Sequence, residues 1–258
     1  MTTQATDSFE NALLDHNFDV SPFTRTSVTV GLFTATPNDS GGGTEVSGNG
    51  YSRATITNSF GTASGRTVSN DTAIVFPTAT GGNWTDMTHT AVFVNDTMFM
   101  YGALAETTTV SDGDAFRFDI GELDLSFAAG EMNDYTANAT LNHFFEGTAY
   151  TPPTVYAALF SSATNNSGGG TELSGSGYAR VDASGAFGTG ASGGALSNDA
   201  EIVFPTATAN WTEATHMAFF DAASGGNMLF HTALDAGVTV SSGDAARFTA
   251  SSVTLTAT

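Results

Sequence analysis

The sequence predicts an all-β protein of two tandem antiparallel, jelly-roll-like β-sandwich domains, each preceded by a short helix. The first observation is a duplication, because GGGTEVSGNGYSR at 41–53 returns as GGGTELSGSGYAR at 168–180. A second pair, SNDTAIVFPTAT at 69–80 and SNDAEIVFPTAT at 197–208, extends the match over a whole domain. The 258 residues therefore form repeats of about 125 residues, each large enough for its own core. We expect domains at 1–130 and 131–258.

A predicted helix opens each repeat. At 6–16, Thr6, Asp7 or Ser8 can cap the helix, and apolar side chains then recur at spacings of three and four. The same spacing recurs at about 133–145 in the second copy. Because each apolar stripe covers one face only, we expect two short amphipathic helices.

Strand-like alternation of apolar and polar residues follows each helix. Val28, Val30 and Leu32 alternate with smaller or polar residues, as do their counterparts at 155–159. Gly, Asn, Asp and Ser then recur every eight to twelve residues or so, which is typical of antiparallel sandwiches and barrels. The predicted strands are 72–76, 90–94, 98–104, 115–119 and 123–127 in the first copy, and 200–204, 217–220, 228–234, 245–249 and 253–257 in the second.

The chain is strongly acidic. Its 26 Asp and Glu residues face six basic residues, all arginine, for a formal net charge of −20 at pH 7. A field of that sign disfavours nucleic acid and anionic membranes as partners. Two interpretations stay open: the charge provides solubility, or it suits a high-salt environment in which screening removes self-repulsion.

Neither cysteine chemistry nor a targeting segment is expected. The sequence has no cysteine and so contains no disulfide framework. No apolar stretch reaches the roughly 20 residues that span a bilayer. The first residues, MTTQATDSFENALL, lack the charged and apolar regions of a secretory signal. We therefore expect a protein made inside the cell.

The two glycine-rich loops are the first candidate sites. A phosphate-binding loop would be followed by a lysine and a helix, whereas these loops carry an acid and precede a strand-like segment. We expect hairpin tips, with contact to a partner as the alternative. The residues concerned are Gly41, Gly42, Gly43 and Glu45 in the first copy, and Gly168, Gly169, Gly170 and Glu172 in the second.

A tyrosine and an arginine follow each loop, two residues apart. Tyr51 and Arg53, matched by Tyr178 and Arg180, share one face of a strand because alternate residues point the same way. The expected role is structural, with the arginine paired to a carboxylate and backed by an aromatic ring. Ligand or partner contact is the alternative.

One tryptophan and one histidine recur at a fixed spacing in each copy. They are Trp84 with His89 and Trp211 with His216, in NWTDMTH and NWTEATH. A metal site would need two or three clustered ligands, and the other repeated histidines lie far away in the sequence. We expect both pairs in the core, with the histidine hydrogen-bonded.

No set of residues predicts an enzyme, a metal site or a cofactor. The sequence offers no nucleophile elbow and no histidine set beside one, and no pair of carboxylates stands out among the 26 acids. DGD at 112–114 and SGD at 242–244 offer oxygens to a cation but also suit tight turns, which we expect here. We therefore expect no catalytic residue, no metal and no cofactor.

Segments along both repeats carry a family resemblance. They include LNHFF in the second helix, the turn GTAYTPPTVY, the loop GGGTELSGSGYAR and the segment THMAFFDAASGGNMLFHTAL. Together they resemble a family of small β-rich virion proteins of tailed viruses and prophages, often labelled tail-fibre or structural protein. The second repeat resembles that family over 133–258 and the first over 8–127, where SPFTR replaces the TPPT turn.

The resemblance implies a protein of the virus particle surface, made in the host cytoplasm, with no catalytic residues. Because two compact sandwiches lack the shaft repeat of a long fibre, we expect first a capsid decoration, as a cement or turret subunit. A tail-fibre or receptor-binding protein is the alternative. Expected partners are other virion proteins and further copies of the chain.

A carbohydrate-binding adhesin is the rival function from a different class, with a host-surface glycan as its ligand. Its aromatic side chains would stack on sugar rings, so they would have to be exposed. Burial of Tyr51, Tyr178, Trp84 and Trp211 would remove the residues on which that hypothesis depends. A glycan-cleaving enzyme is the third hypothesis.

Overall fold

The protein is built mainly of antiparallel β-strands, and the predicted all-β class with one short helix per repeat is confirmed. The computed structural model describes residues 3–56 and 58–257. Within that part of the chain, no helix is both long and apolar enough to cross a membrane.

The first repeat begins with a short strand and a capped helix. The Thr6 hydroxyl accepts a hydrogen bond from the Phe9 backbone N–H at 3.3 Å, which satisfies one free donor of the first helical turn. The elements are β1 (Thr3–Ala5), α1 (Asp7–Asn17), β2 (Val28–Ala35), β3 (Thr44–Glu45), β4 (Ala54–Ile56), β5 (Thr67–Ser69), β6 (Ile74–Thr78), β7 (Trp84–Val94), β8 (Thr97–Val110), β9 (Ala115–Phe118) and β10 (Asp124–Ser126).

The second repeat follows the same order. The Asn133 side chain accepts a hydrogen bond from the Tyr135 N–H at 3.0 Å and caps the helix. The helix ends in a π-helical turn at Asn142–Glu146, closed by Gly147 at φ 105°, a conformation that favours glycine. The elements are α2 (Asp134–Leu141), β11 (Tyr156–Phe160), β12 (Val181–Asp182), β13 (Ala195–Ser197), β14 (Ile202–Val203), β15 (Ala214–Phe220), β16 (Met228–Val238), β17 (Arg247–Phe248) and β18 (Thr254–Thr256), with a 3₁₀ turn at Ser184–Ala186.

The chain divides into two compact units. The first comprises residues 3–9, 24–128 apart from residue 57, and 138–150. The second comprises residues 10–23, 129–137 and 151–257. Each unit therefore combines the strands of one repeat with a segment from the helical region of the other. The domain boundary near residue 130, expected from the repeats, marks where the second copy begins in the sequence. As a boundary between domains it stays a prediction.

One large sheet forms the centre of the first unit. Its strand order is β1-β8-β7-β2-β3, and β4 also pairs with β2. Two short ladders, β5 with β10 and β6 with β9, complete the strand pairing. Every one of these pairs is antiparallel. Strand β2 is buried along most of its length because it lies between neighbours in this sheet.

The second unit repeats this plan with a smaller sheet of order β12-β11-β15-β16. The ladders β13 with β18 and β14 with β17 correspond to those of the first unit. The main difference is the connection before the last sheet strand. In the first repeat it is a tight turn in which Asn95 and Asp96 have φ of 50° and 62°, whereas the second repeat has a longer connection between Phe220 and Met228.

Aromatic rings join the sheet and a ladder within each unit. In the first, the Tyr51 ring centroid lies 5.3 Å from Trp84 of β7 and 6.3 Å from Phe76 of β6. In the second, Tyr178 makes the same contacts with Trp211 and Phe204, at 5.4 and 6.2 Å. The tyrosine that follows each glycine-rich loop therefore lies beside the core.

Candidate functional site

The glycine-rich loops form the turns that follow β2 and β11. Gly41 and Gly43 have φ of 78° and 117°, a region that disfavours side chains, which accounts for glycine at these positions. The Gly42 N–H donates to Asn38 Oδ1 at 2.8 Å. In the second copy, Gly168 and Gly170 also have positive φ, and the Gly169 N–H donates to Asn165 Oδ1 at 3.0 Å. In each loop, an asparagine side-chain oxygen thus accepts a hydrogen bond from a backbone N–H group of the loop.

The structure brings Glu45, Tyr51 and Arg53 together as a hydrogen-bonded cluster. Arg53 donates from Nε to Glu45 Oε1 at 2.9 Å and from a terminal nitrogen to Oε2 at 2.8 Å. The Tyr51 hydroxyl donates to the same Oε1 at 3.0 Å and accepts the Leu32 N–H of β2 at 2.8 Å. The cluster therefore fixes the segment after the loop to the central sheet.

The second repeat has the same cluster in Glu172, Tyr178 and Arg180. The two Arg180 bonds to the Glu172 carboxylate are 2.8 and 2.7 Å long. The Tyr178 hydroxyl donates to Glu172 at 3.2 Å and accepts the Leu159 N–H at 2.9 Å. We call these two sets the Glu–Tyr–Arg clusters.

An aromatic ring lies beneath each arginine. The guanidinium carbon is 3.3 Å from the Phe93 ring centre for Arg53 and 3.5 Å from that of Phe220 for Arg180. Such stacking and a two-bond carboxylate contact both require the planar guanidinium. Arg180 also donates to the carbonyl oxygens of Ala222 and Gly225 at 3.0 and 2.7 Å, and it holds the longer connection of the second repeat.

Burial of the tyrosine rings raises the pKa of Tyr51 and Tyr178 well above the ordinary value of 10.0. The neighbouring glutamates add to the increase, because each carboxylate accepts the phenol proton in a hydrogen bond. The hydrogen bond with Glu45 is the main reason that the pKa of Arg53 is raised. At neutral pH the two phenols therefore stay protonated and the Arg53 guanidinium stays charged, so the clusters are suited to holding structure.

Both tryptophans are buried. Trp84 is 2% exposed and Trp211 is 7% exposed. The indole N–H of Trp84 donates to the Asn49 carbonyl, and that of Trp211 donates to the Ser176 carbonyl, both at 2.9 Å. Each tryptophan thereby fixes the turn that carries the tyrosine and arginine of its cluster.

The histidines lie outside the core that the sequence assigns to them. His89 and His216 are half-buried, and each Nδ1 lies 2.8 Å from the hydroxyl of the preceding threonine, Thr88 or Thr215. The physical reason is irregular backbone between the two residues. The register of β7 against β8 shifts twice between Trp84 and His89, and Trp211 precedes β15, so a fixed spacing in sequence does not bring the histidine into the core beside the tryptophan.

The acidic turns also use their side chains locally. Asp112 accepts a hydrogen bond from the Gly81 N–H at 2.9 Å and so joins the 112–114 turn to the turn that precedes β7. In residues 3–56 and 58–257, no group of three or more His, Asp or Glu side chains has a spacing that fits a metal ion.

The sequence interpretation missed four polar helix residues. Asn11 and Asp15, and their counterparts Asn138 and Asn142, each accept a backbone N–H from a turn between strands. Their spacing of four residues, repeated in both copies, was the available signal. It could not show that these residues bind a turn of the other repeat.

Comparison with known proteins gives one family. Among curated proteins, none matches this chain significantly. The model of the family described as podophage GP4 fiber I protein gp80 matches twice, at residues 4–126 and 131–256. The two matches cover nearly the whole chain and correspond to the two repeats. The chain therefore belongs to the podophage GP4 fiber I protein gp80 family, as a tandem duplication of the family domain.

Proposed function

We propose that this chain is a non-enzymatic, fibre-type structural subunit on the particle surface of a tailed virus. The observation that carries the proposal is the match of the fibre-protein family to both repeats, 4–126 and 131–256. Since each repeat matches separately, both copies retain the family domain.

Within this proposal we place the chain on a tail fibre, with the capsid as the alternative place. The sequence alone favours a capsid decoration, because it lacks the repeat of a long fibre shaft. The family description names a fibre protein, and it supports the tail-fibre alternative at least as well. Two compact β units can act as a fibre head or joint, with other virion proteins supplying the length.

The hydrogen bonding of the candidate residues supports a structural role over catalysis. Glu45 accepts three hydrogen bonds from Tyr51 and Arg53. A carboxylate engaged in this way is poorly suited to act as a general base or nucleophile, because its lone pairs are occupied and its charge is neutralised.

The adhesin alternative loses its candidate aromatic residues. Trp84 and Trp211 are buried, so their faces are not open to sugar rings. Tyr51 and Tyr178 are half-buried, and their hydroxyls bond to the sheet and to a glutamate. A glycan contact would therefore require other residues.

Partners are expected among virion proteins and further copies of the chain. The net charge of −20 favours a partner surface rich in Lys and Arg. It disfavours nucleic acid and anionic lipid as direct ligands.

Immunogold electron microscopy on intact particles of the virus that encodes the chain tests the proposal. We expect label on fibres at the tail, and no label on particles of a mutant that lacks the gene. Label over the head would instead establish the capsid decoration. Absence of label from all particles, with the protein present in infected cells, would refute a virion role.

A further inference from the structure

The helical segments belong to units whose strands come from the other repeat. Residues 10–23, from the first repeat, belong to the second unit. Residues 138–150, from the second repeat, belong to the first unit. Because the two segments occupy equivalent positions in their repeats, the arrangement is reciprocal.

An aromatic pocket in the second unit receives the end of the first helical segment. The Phe18 ring lies 4.6 Å from Phe187, 5.5 Å from Phe219 and 5.5 Å from Phe230, measured between centroids. Phe18 is only 1% exposed. Because burial of so large an apolar ring stabilises the fold, this segment is part of the core of the second unit.

The first unit has the corresponding pocket. The Phe145 ring lies 5.9 Å from Phe60, which is the counterpart of Phe187, and Phe144 lies 5.7 Å from Phe99. Phe144 and Phe145 are 0% and 1% exposed. The Arg25 guanidinium also donates to the Phe145 carbonyl oxygen at 2.6 Å.

In both units, hydrogen bonds also join the helical segment of one repeat to a tight turn of the other repeat. In the second unit, Asp15 accepts the Ala191 N–H at 2.7 Å, and Asn11 accepts the Gly194 N–H at 3.0 Å. These two donors lie in a turn at 188–195, which we call the receiving turn.

The receiving turn of the first unit lies at 61–67. Asn142 accepts the Ala63 N–H there at 2.6 Å, and Asn138 accepts the Arg66 N–H at 2.9 Å. Both units thus use two side chains four residues apart, on one helix face, to bind two N–H groups of one turn.

We propose that the receiving turn and phenylalanine pocket of each unit form a socket for the helix of a second repeat. The two repeats are then a reciprocally helix-exchanged pair, in which the partner of each repeat is another copy of the same fold on the same chain. This pairing does not depend on the linker near residue 129, because each half supplies a core segment to the unit of the other half.

Cleavage of the linker tests whether the pair holds without it. A protease recognition sequence is inserted between Ala128 and Ala129, which are both exposed, and a tag is placed on the first half. After complete cleavage, we expect both halves to elute together with the mass of the intact chain and to be retained together by the tag. Elution of the halves as separate species would overturn the proposal.

Removal of the socket rings tests whether the exchange is what holds the halves. With Phe18→Ala and Phe145→Ala, we expect the cleaved halves to associate at least tenfold more weakly than in the parent protein. The control is Phe116→Ala, which removes a half-buried ring outside the socket. Equal weakening by the control and the socket variant would count against the exchange.

Engineered disulfides give an answer that does not depend on affinity, since the chain has no native cysteine. Asp15→Cys with Ala191→Cys should link the two halves, so that the cleaved protein keeps its full mass on a non-reducing denaturing gel. The matched control is Asp15→Cys with Ala63→Cys, whose two thiols both lie in the first half. A free-thiol assay reads this control, because its thiols would be lost only if the helix packed in its own repeat. A link in the control, no link in the first pair, or links between separate chains would each contradict the proposal.

Discussion

The guanidinium of Arg180 lies over the Phe220 ring, with its central carbon 3.5 Å from the ring centre. The same guanidinium forms two hydrogen bonds with Glu172. Its side chain is only 7% exposed, compared with 28% for Arg53 in the first repeat. The arginine of the cluster is therefore more strongly enclosed in the second repeat, and the two arginines should respond differently to substitution.

Replacement of the enclosed arginine should cost more stability than replacement of its twin. Arg180→Lys keeps the charge but loses the planar two-bond contact and the ring stacking, so we expect a loss of about 2–3 kcal/mol in the free energy of unfolding. Arg53→Lys should lose about 1 kcal/mol because its ion pair is more exposed. Urea unfolding measures both. Arg247→Lys, in an exposed pair, is the control and should change little; equal losses at all three sites would refute this ranking.

Loss of one tyrosine hydroxyl should expose an unpaired strand N–H. Tyr51→Phe keeps the ring packing but leaves the Leu32 N–H without its acceptor. We expect a loss of about 1–3 kcal/mol in unfolding free energy, the usual cost of a buried unsatisfied donor. Tyr178→Phe should behave alike through Leu159. A loss below about 0.5 kcal/mol in both variants would show that water or a rearranged backbone replaces the bond.

The same two tyrosines should make the fold sensitive to alkali. Their pKa is raised above the unfolded value of 10.0, so between that pH and the folded pKa the native state binds more protons than the unfolded state. Stability is therefore fully present below about pH 10 and falls as the pH rises, by up to about 1.4 kcal/mol per pH unit for each tyrosine. Urea unfolding at a series of alkaline pH values measures the slope.

The double variant Tyr51→Phe with Tyr178→Phe provides the control for this slope. It should be less stable at neutral pH but should lose less stability between neutral pH and pH values above about 10. A slope as steep as that of the parent protein would assign the alkaline sensitivity to other groups.

The Asn95 side chain should stabilise the segment that leads into β2. Asn95 accepts hydrogen bonds from the Thr26 N–H and hydroxyl, both at 2.7 Å, and donates to the Thr24 carbonyl at 2.8 Å. It also has φ of 50°. Asn95→Ala should therefore cost about 2 kcal/mol in thermal or urea unfolding, whereas Asp96→Gly, at φ of 62°, should be neutral or slightly stabilising. A larger loss of stability in Asp96→Gly than in Asn95→Ala would show that backbone geometry alone determines the stability of this turn.

Salt should stabilise the protein. With a net charge of −20, self-repulsion opposes the folded state, and raising NaCl from about 0.01 to about 1 M shortens the screening length from about 30 to about 3 Å. We expect Tm to rise by several degrees in thermal unfolding, since about 1 kcal/mol shifts Tm by about 2–4 °C at this size.

Neutralised acids provide the comparison for the salt effect. The variant Asp86→Asn, Glu106→Gln, Asp235→Asn removes three exposed charges and should show a smaller rise in Tm with salt. A parent protein whose Tm is unchanged or lowered by NaCl would leave solubility as the explanation of the acidic composition.

Local sequence signals located most elements of the fold. The alternating runs place strands at all ten predicted positions with shifted ends; 72–76, for example, is observed as β6 at Ile74–Thr78. The short strands β1, β3, β4, β5, β12 and β13 were missed, because two or three residues carry too little periodicity. The predicted arginine–carboxylate pair is present in the structure, with Glu45 of the adjacent loop as the partner of Arg53.

Local sequence signals could not predict which repeat each helix packs against. The stripe of Phe9 and Leu13 shows that α1 must bury apolar side chains, and both residues are fully buried. Phe9 belongs to the unit of its own repeat, where it stacks on Phe99, whereas Leu13 belongs to the other unit. An apolar stripe fits the pocket of either repeat equally well, because the duplicated pockets are made of equivalent residues. The choice depends on the path of the chain between helix and strand, which hydrophobic periodicity does not encode.

Interleaving of the two repeats has an evolutionary consequence. A substitution at Asp15 has to remain compatible with the turn at Ala191, and one at Asn142 has to remain compatible with the turn at Ala63. Compensating changes must therefore arise in opposite halves of the gene. Deletion of either half would deprive the remaining strands of the helix that completes their core. The two copies are thus inherited together. Their peripheral features, such as the loop held by Arg180, can diverge, whereas the helix residues of each copy must stay compatible with the strands and turns of the other.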